Sequence, residues 1–568
     1  MSSPTPRNAP SATPLNRRSL LRLGLGAGLG LAAAPLLAAC GDGGTTAKAE
    51  AKSAALLPKT TPRNIGLTPD LPGTADGIPN GYFTYPAKPA RSVKGAPLKG
   101  AGTVRATLQT YAPPPPARDK NAAWKAIEER LGGQVDITIV PADDYPTKFS
   151  TMVAGDNVAD IFMYPESGGA DNKAAFLAAT CADLTPYLAG TKVNDYPNLA
   201  AITEPAWQGG IFGGKLYGVP ISRTGSGGAG FYRHDLFAQA GVTSLDDIAD
   251  LPAFVELCKE LTRPKEDQYA ISAGVTNLLA MSAGAPYSWR LDKASGKFTL
   301  DLETEEYRSA VETARELYEA GCYYPGSLAM SGAQKEKYTG FFKNGKAAYV
   351  YDGMPGYLAP STGYRAAMAA VDAKFDPRPM TPIGSSAVAW PDNVALSYVF
   401  VKKADGKRVK QLLGLADFAA APFGSEEYTL INFGVEGTDF TRDAKGNPVL
   451  TEQGALDVSV PWKFLASAVP AVFDAASEDG VRYVHEAYTK LVPKLIPNDH
   501  AAYSSPTWDS KSAGSLFTLK SDGLKDIISG RKPMSAYDDL VKDYLAQGGE
   551  QARTEFQDAL QQGKGAAK

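Results

Sequence analysis

After residue 100, the hydrophobic pattern changes repeatedly between the period of a strand and the period of a helix. Thr103–Thr110 predicts a strand and Trp124–Leu131 a helix, since apolar residues recur every three or four positions in the second segment. Val135–Ile139 alternates as a strand does, Phe149–Val153 begins another helix, and Asp160–Tyr164 is an apolar run of strand length. This βαβαβ order predicts a parallel sheet with helices on both faces.

The same alternation starts again further along the chain. Phe254–Leu261 and Tyr307–Leu317 have the apolar spacing of helices, and Ala347–Tyr351 has the composition of a buried strand. Leu396–Val401 predicts another strand, which the long helix Lys407–Ala421 follows. The fold class indicated is therefore α/β, with two lobes that each contain a sheet flanked by helices.

Length and composition agree with a large globular protein. The chain has 568 residues, which at about 100–200 residues per domain indicates two or more domains. Lys and Arg number 58 against 61 Asp and Glu, so the basic excess of a nucleic-acid binder is absent from the sequence. Three histidines and four cysteines, none in CxxC or HExxH spacing, argue against zinc-finger and metalloprotease chemistry, and we predict neither a metal nor another cofactor.

The first forty residues have the pattern of an export signal. Arg17 and Arg18 precede an apolar run, Leu23–Ala39, as in twin-arginine signals. The run ends at Cys40 in a sequence that resembles the bacterial lipobox, where the cysteine is acylated after cleavage. A membrane-spanning anchor is the alternative, but 17 residues rich in Gly and Ala, with Pro35 among them, span a core of about 30 Å poorly. We therefore predict a signal peptide over 1–39 and a lipid anchor at Cys40.

Residues 40–100 are rich in Pro, Gly, Ala, Thr and Lys and show no sustained periodicity. Such a composition does not bury enough apolar surface to fold independently, which predicts a tether between the lipid and the folded body. The aromatic residues Tyr82, Phe83 and Tyr85 leave open that part of this segment docks on the body.

Three cysteines follow Cys40, namely Cys181, Cys258 and Cys322. At most one internal disulfide is possible among them, and the sequence does not say whether one forms. Cys258 shares a helical face with apolar residues, which predicts a buried thiol.

Motifs for enzymatic chemistry are incomplete. Gly225–Gly230 satisfies GxGxxG, but the strand-like Phe231–Arg233 follows it where a dinucleotide site needs a helix, so a crossover between lobes is favoured. Ser272, Ser282 and Ser512 each precede Ala-Gly but lack the earlier glycine of a nucleophile elbow. Acidic pairs are sequence neighbours, which does not show the separation of about 5–10 Å that a glycosidase needs. We predict no catalytic residues.

Several segments carry a family resemblance: Ala159–Tyr164, Gly214–Pro220, Phe231–Phe237 with Gly241, Phe342–Tyr349, Gly434–Gly437, and Ile527–Gly530 with Ala536–Leu540. Together they resemble the family 1 extracellular solute-binding proteins of ABC importers, the group that includes the maltodextrin-binding proteins. Their order and spacing hold over residues 101–568. The length and the glutamate-glycine hairpin are more similar to the large lipoprotein oligosaccharide binders than to the compact maltose type.

This resemblance implies a periplasmic-binding-protein-like fold in which crossing hinge segments join two lobes around a ligand. It places the first crossing near 218–230, the second near 391–396 and the third within 460–505. The implied lobes are 101–222 with 397–470 for lobe one, and 226–395 with 500–568 for lobe two.

The resemblance also implies ligand-binding positions, since sugars bind to aromatic faces and to bidentate polar groups. They are Tyr164, Glu166, Trp207 and Arg223 on the lobe-one side, and Tyr287, Trp289, Asp352, Tyr357, Trp390, Trp508 and Asp509 on the facing side. The tryptophan that follows the second-lobe strand in the maltose-binding group is replaced here by the segment Asp352–Tyr357, which argues against a maltodextrin ligand.

The function that these features indicate is that of a receptor, lipid-anchored on the extracellular face of the cell membrane, that binds an oligosaccharide or a related polar solute. Its partners are that solute and the transmembrane subunits of an ABC permease, and we expect a monomer that is not an enzyme and does not bind nucleic acid. A polysaccharide-active hydrolase and a wall-associated adhesion or sensor lipoprotein are the alternatives.

Overall fold

The structure is a computed structural model that describes residues 55–63, 65–166, 168–170, 172–226, 228–330, 334–358, 363–503 and 505–565. The predicted signal peptide and Cys40 lie outside these residues. None of the helices in the described ranges combines the length and the apolar character needed to cross a bilayer.

The strands are β1 Gly81–Tyr82, β2 Val104–Thr110, β3 Val135–Pro141, β4 Ile161–Met163, β5 Ile211–Phe212, β6 Lys215–Leu216, β7 Gly218–Ser222, β8 Phe231–Arg233, β9 Tyr269–Ile271, β10 Trp289–Asp292, β11 Lys297–Leu300, β12 Ala347–Val350, β13 Pro377–Pro379, β14 Ala395–Val401, β15 Phe440–Arg442, β16 Pro448–Leu450 and β17 Val472–Phe473. The α-helices are α1 Ala122–Leu131, α2 Tyr145–Ala154, α3 Lys173–Thr180, α4 Thr185–Leu188, α5 Glu204–Gln208, α6 His234–Gln239, α7 Leu251–Leu261, α8 Val275–Ser282, α9 Glu305–Glu319, α10 Lys335–Lys343, α11 Tyr364–Val371, α12 Gly406–Ala419, α13 Glu426–Asn432, α14 Glu452–Asp457, α15 Glu478–Leu491, α16 Pro506–Lys511, α17 Ser515–Ile528, α18 Ala536–Tyr544 and α19 Glu550–Gly565.

The first sheet has five strands in the order β3-β2-β4-β14-β7. Strand β2 runs parallel to both β3 and β4, which confirms the parallel βαβαβ arrangement predicted from the sequence. Strand β14 comes from much later in the chain and runs antiparallel to β4 and β7. Strands β2, β3, β4 and β7 therefore all end at the same edge of this sheet, where β14 begins.

Helix α1 shows why the local pattern was readable. The Asn121 side chain accepts a hydrogen bond from the Trp124 N–H at 2.8 Å, which caps the start of the helix. Trp124, Ile127 and Leu131 form its buried face, and Gly132 ends it with a φ of 72°. Spacing, cap and terminating glycine all specify the same element.

The second sheet has four strands in the order β13-β8-β12-β9, with β12 parallel to β9 and β8 antiparallel to both β12 and β13. A separate hydrophobic core surrounds it, in which Phe254, Leu279, Val311 and Tyr349 are buried. Two sheets with two cores confirm the α/β fold class and the two lobes.

The third of the segments that join the lobes lies at residues 467–471. Trp462 is buried in the core of the first lobe, whereas Val472 packs among buried residues of the second lobe. Ser467 forms a parallel bridge with Ile221, and its hydroxyl donates to the Ser222 carbonyl at 3.2 Å. The third crossing therefore runs beside the end of β7, where the first crossing begins.

The segment that we predicted as a tether, residues 40–100, packs on the folded body over its described part. Val93 and Leu98 are buried in the first core, and Tyr85 is buried among the rings of Phe423 and Phe433. The docking that the sequence left open is present at Tyr85, and it extends to Val93 and Leu98, because composition reports only whether a segment folds by itself. It does not report whether widely spaced apolar residues fill grooves on a surface that already exists.

A buried acidic cluster fixes this N-terminal segment to the first lobe. The Glu427 carboxylate is fully buried and accepts from the Ser92 N–H at 2.8 Å, the Ser92 hydroxyl at 2.7 Å and the Val93 N–H at 3.1 Å. Arg130 forms an ion pair with the same carboxylate. The Ser92 hydroxyl also accepts from Asn198 Nδ2, at 3.1 Å, which connects this cluster to Asp417.

Asp417 makes the stability of the protein depend on pH. Burial raises its pKa to about 7 from 3.8, although the N–H groups of Leu199 and Asn198 and the charge of Arg63 oppose the shift. The folded protein therefore keeps a proton on Asp417 that the unfolded chain has lost, so stability falls as pH rises from about 4 to about 7. This group contributes at most about 1.4 kcal/mol per pH unit.

We expect Asp417→Asn to flatten this slope, because the amide oxygen still accepts the two N–H groups and carries no charge. The measurement is urea unfolding at about pH 5, 6, 7 and 8, with the exposed Asp195→Asn as the matched control. An unchanged slope in Asp417→Asn would show that the carboxyl is ionised throughout this range.

All three cysteines in the described part of the chain are free thiols and are buried. Cys258 is 2% exposed among apolar side chains, which confirms its predicted environment.

Candidate ligand site between the two lobes

The strands of both lobes end where the crossing segments begin. In the first lobe, the residues just beyond β2, β3 and β4 are Tyr111, Asp143 and Glu166. In the second lobe, β12 is followed by Tyr351 and Asp352. Because ligands of open α/β sheets bind outside the carboxyl ends of the strands, these two edges form the candidate site.

The first two crossings are hydrogen-bonded to each other, which sets the two edges side by side. The Arg223 N–H donates to the Val394 carbonyl at 2.9 Å, and the Asp392 N–H donates to the Gly225 carbonyl at 2.9 Å. Paired extended segments of this kind bend together, as hinges between lobes must.

Electrostatic coupling shows that the two edges face each other. Tyr338 lies on α10 of the second lobe, and burial raises its pKa to about 12. The charges of Asp352, in its own lobe, and of Asp143, in the first lobe, are the second and third causes of this same shift. Asp143 therefore lies across the cleft within electrostatic range of Tyr338.

Tyr111 is the exposed aromatic residue of the first-lobe edge. Its side chain is 50% exposed, and its ring meets that of Phe464 edge to face at 6.1 Å. Its hydroxyl donates to Glu166 Oε1, which also accepts from Gln109 Nε2. Sequence reasoning missed Tyr111, which directly follows the buried strand β2.

Two cations lie beside Tyr111 at the same edge. Arg223 is half-buried at the end of β7, and Lys463 precedes the third crossing with its side chain exposed to solvent. Desolvation, first, and then the charge of Arg223 lower the pKa of Lys463. Arg223 was predicted from the sequence, whereas Lys463 was missed because it lies in a short turn that no motif marks.

An aromatic pair forms the facing wall in the second lobe. The rings of Tyr287 and Trp390 are 5.8 Å apart with an interplanar angle of 59°, and both side chains are half-buried. Trp390 Nε1 donates to the Ala285 carbonyl at 2.9 Å, which fixes the indole. Burial and the charge of Asp392 raise the pKa of Tyr287, and the same causes raise the pKa of Tyr351 to about 12. Tyr287, Trp390, Tyr351 and Asp392 therefore form one cluster at the second crossing.

Asp352 lies at this edge but is held by its own lobe. Lys335 Nζ donates to Oδ1 at 2.7 Å and the Tyr364 hydroxyl to Oδ2 at 2.7 Å, while the Gly353 N–H also reaches Oδ1. Its oxygens therefore stabilise the turn after β12.

Four of the predicted ligand residues are buried in the cores and do not reach the cleft: Tyr164, Trp207, Trp289 and Tyr357, which are 5%, 0%, 1% and 1% exposed. Tyr164 packs against Phe149 and Phe400, and the Tyr357 hydroxyl donates to the Pro377 carbonyl at 2.7 Å. An aromatic residue near a strand end has the same sequence pattern whether it faces the cleft or the core, so the sequence alone does not show this burial.

Trp508 and Asp509 lie apart from the crossing segments. The rings that Trp508 meets in the described structure are those of His500, Trp289 and Phe556, inside the second lobe. Asp509 is exposed, and burial together with the nearby Glu555 raises its pKa. The structure does not bring this pair together with Arg223 or Trp390.

Two depressions of about 320 and 370 Å³ lie on other surfaces of the described chain. One is lined by Pro252 and Glu316, the other by Phe83, Lys445 and Glu478. Neither contains a residue of the two facing walls, and neither combines aromatic faces from two lobes. No cluster of metal-ligating side chains occurs in the ranges that the structure describes.

Two lobes joined by paired crossings, with polar and aromatic groups at the facing strand ends, define a solute-binding protein. The family model for bacterial extracellular solute-binding proteins matches residues 122–427, more than half of the chain. The chain belongs to this family.

Individual relatives are distant. The chain is 22% identical over 463 residues to the polygalacturonan/rhamnogalacturonan-binding protein YtcQ of Bacillus subtilis, covering 78% of this chain and 89% of that protein. It is 24% identical over 362 residues to the lipoprotein LipO of the same organism, covering 59% and 67%. Among solved structures, FusA of Streptococcus pneumoniae in complex with kestose has a TM-score of 0.57 at 12% identity, covering 81% and 99%. The similarity to the FusA structure concerns the fold alone.

Proposed function

We propose that this protein is a receptor, lipid-anchored on the extracellular face of the cell membrane, that binds an oligosaccharide between its lobes and delivers it to an ABC permease. Residues 1–39 direct export through the twin-arginine route, and Cys40 carries the lipid after cleavage. The receptor acts as a monomer and does no covalent chemistry on its ligand.

The observation that carries this proposal is the pair of facing walls at the crossings. Tyr111 exposes a ring on one side, and Tyr287 with Trp390 presents two rings on the other. Flat aromatic faces bind the apolar side of a sugar ring, and polar groups such as Arg223 and Asp392 bind its hydroxyls. The sugar-binding names of YtcQ and of the FusA complex agree with this ligand class.

Closure of the lobes is the step that transmits binding. A ligand that contacts both walls stabilises the closed arrangement more than the open one, so it shifts the population of lobes towards closure. The permease then recognises a surface that only the closed receptor presents. The hydrogen bonds between the first two crossings hold these segments together, as a hinge between lobes requires.

The test is a thermal-unfolding screen of the purified protein against mono- and oligosaccharides, with each positive sugar recovered and analysed. A ligand at 100 times its Kd adds about 2.7 kcal/mol to the free energy of unfolding, which a melting curve resolves. We expect a rise in Tm with the sugar recovered intact. A consumed sugar would favour the hydrolase, and the absence of any shift would favour the adhesion or sensor role.

A further inference from the structure

Two positive side chains meet on the first-lobe wall without an acidic partner. The bridge between Ile221 and Ser467 holds the end of β7 against the start of the third crossing, which brings Arg223 and Lys463 into electrostatic contact. Within the residues that the structure describes, neither side chain makes an ion pair or a hydrogen bond to any other group. Like charges held together in this way repel each other, so the fold keeps an unfavourable arrangement at the mouth of the cleft.

The acidic groups nearby are engaged elsewhere. Glu166 accepts through one oxygen from both Tyr111 and Gln109, and it lies beyond ion-pair distance of Arg223. Asp392, whose charge acts on Tyr287 and Tyr351, shares Tyr488 as an electrostatic neighbour with Arg223 but is not within ion-pair distance of it in the described structure. Desolvation, first, and then the charge of Arg223 lower the pKa of Lys463, as expected for two cations close to each other.

We propose that Arg223 and Lys463 together bind the carboxylate of an acidic saccharide, with the exposed ring of Tyr111 against the sugar face. This rests on the proposed function and assigns the chemical class of its ligand. A guanidinium binds a carboxylate through two parallel hydrogen bonds, and the ammonium adds a point charge from the side. The adjacent aromatic ring favours a uronate over a small inorganic anion, because an anion offers no apolar face to that ring.

Lobe closure strengthens the argument. When the cleft closes over a neutral sugar, both cations lose water without gaining an opposite charge, which is unfavourable. When a uronate occupies the cleft, its carboxylate supplies that charge and removes the repulsion between the two side chains. The receptor therefore discriminates between acidic and neutral sugars at the closing step.

The experiment is isothermal titration of the purified protein with α-1,4-linked galacturonate oligomers of three to six units and with their methyl esters. Esterification removes the charge and leaves the rings and hydroxyls in place. We expect the acid to bind about tenfold more tightly than the ester, as a charged hydrogen bond implies. Lys463→Gln removes most of that difference by weakening the acid alone, while Lys125→Gln, an exposed lysine on α1 of the same lobe, leaves both affinities unchanged.

The other outcomes overturn the inference in distinguishable ways. Equal binding of acid and ester, unaffected by Lys463→Gln, would overturn the carboxylate site and leave the sugar receptor standing. Binding of neutral oligosaccharides alone would also overturn the carboxylate site and leave the sugar receptor standing. Inorganic phosphate competing at the same concentration as the galacturonate oligomer would show a site for small anions. Failure of every acidic and neutral saccharide to bind would overturn the proposed function itself.

Discussion

Replacing Glu427 with alanine is expected to lower the free energy of unfolding by about 3–5 kcal/mol, the range for a buried ion pair that loses one partner. The substitution leaves the Ser92 hydroxyl and the N–H groups of Ser92 and Val93 without their acceptor, and it removes the carboxylate that neutralises the Arg130 guanidinium. Since the carboxylate is fully buried, water does not replace it without rearrangement. Urea unfolding measures the change.

Glu426 provides the matched control, because it is the adjacent glutamate on α13 and its side chain is exposed. Glu426→Ala is expected to change stability by less than about 1 kcal/mol through the helix dipole. Limited proteolysis shows which segment detaches first. In Glu427→Ala, we expect cleavage sites between residues 60 and 100 to become accessible before the lobes unfold. Equal stability of the two variants would show that the N-terminal segment is held mainly by its apolar contacts.

Local elements were predictable because their determinants are close in sequence. Strand β2 and helix α1 were both found from apolar spacing, and Gly132 marked the helix end that its positive φ now explains. The third strand, predicted over Asp160–Tyr164, proved to be the three-residue β4. The hydrophobic period therefore predicted which elements the first lobe contains, but it predicted their first and last residues less accurately.

The packing of the N-terminal segment was not predictable from local pattern. Ser92 and Glu427 are 335 positions apart, and nothing in the sequence around either residue indicates the other. Neighbouring residues do not specify a buried carboxylate whose partners come from distant segments, since the same glutamate would be read as a solvated charge. Composition therefore predicted a tether and left open only that its aromatic residues dock on the body.

The candidate site was predictable where a crossing segment marks it. Arg223 and Trp390 lie beside the crossings that glycine and proline residues indicated in the sequence, and both stay predicted ligand residues. Tyr111 and Lys463 were missed, because the edge of a sheet is completed by residues that only the strand order brings together. Which side of that edge an aromatic ring occupies is decided by packing, as the two tryptophans below show.

Trp289 and Trp390 were both predicted as ligand residues, and the two side chains differ in burial. Trp289 is 1% exposed and packs against Trp508 and Phe556, so Trp289→Ala opens a cavity and is expected to lower the free energy of unfolding by about 3–5 kcal/mol. Ligand affinity, measured at a temperature where the variant is folded, should stay within about twofold of the unsubstituted protein, because this ring lies outside the cleft.

Trp390→Ala is expected to lower ligand affinity more than it lowers stability. Its indole is half-buried beside Tyr287 at the second crossing, so truncation removes less core packing and takes away a ring of the ligand wall. We expect saccharide affinity to fall about tenfold or more, as for a tryptophan at the centre of an interface, with a smaller loss of stability than in Trp289→Ala. Parallel melting curves and titrations of the two variants measure both quantities. An affinity loss confined to Trp289→Ala would move the binding wall to the Trp289–Trp508 cluster, because only a ring in contact with the ligand lowers affinity in a protein that remains folded.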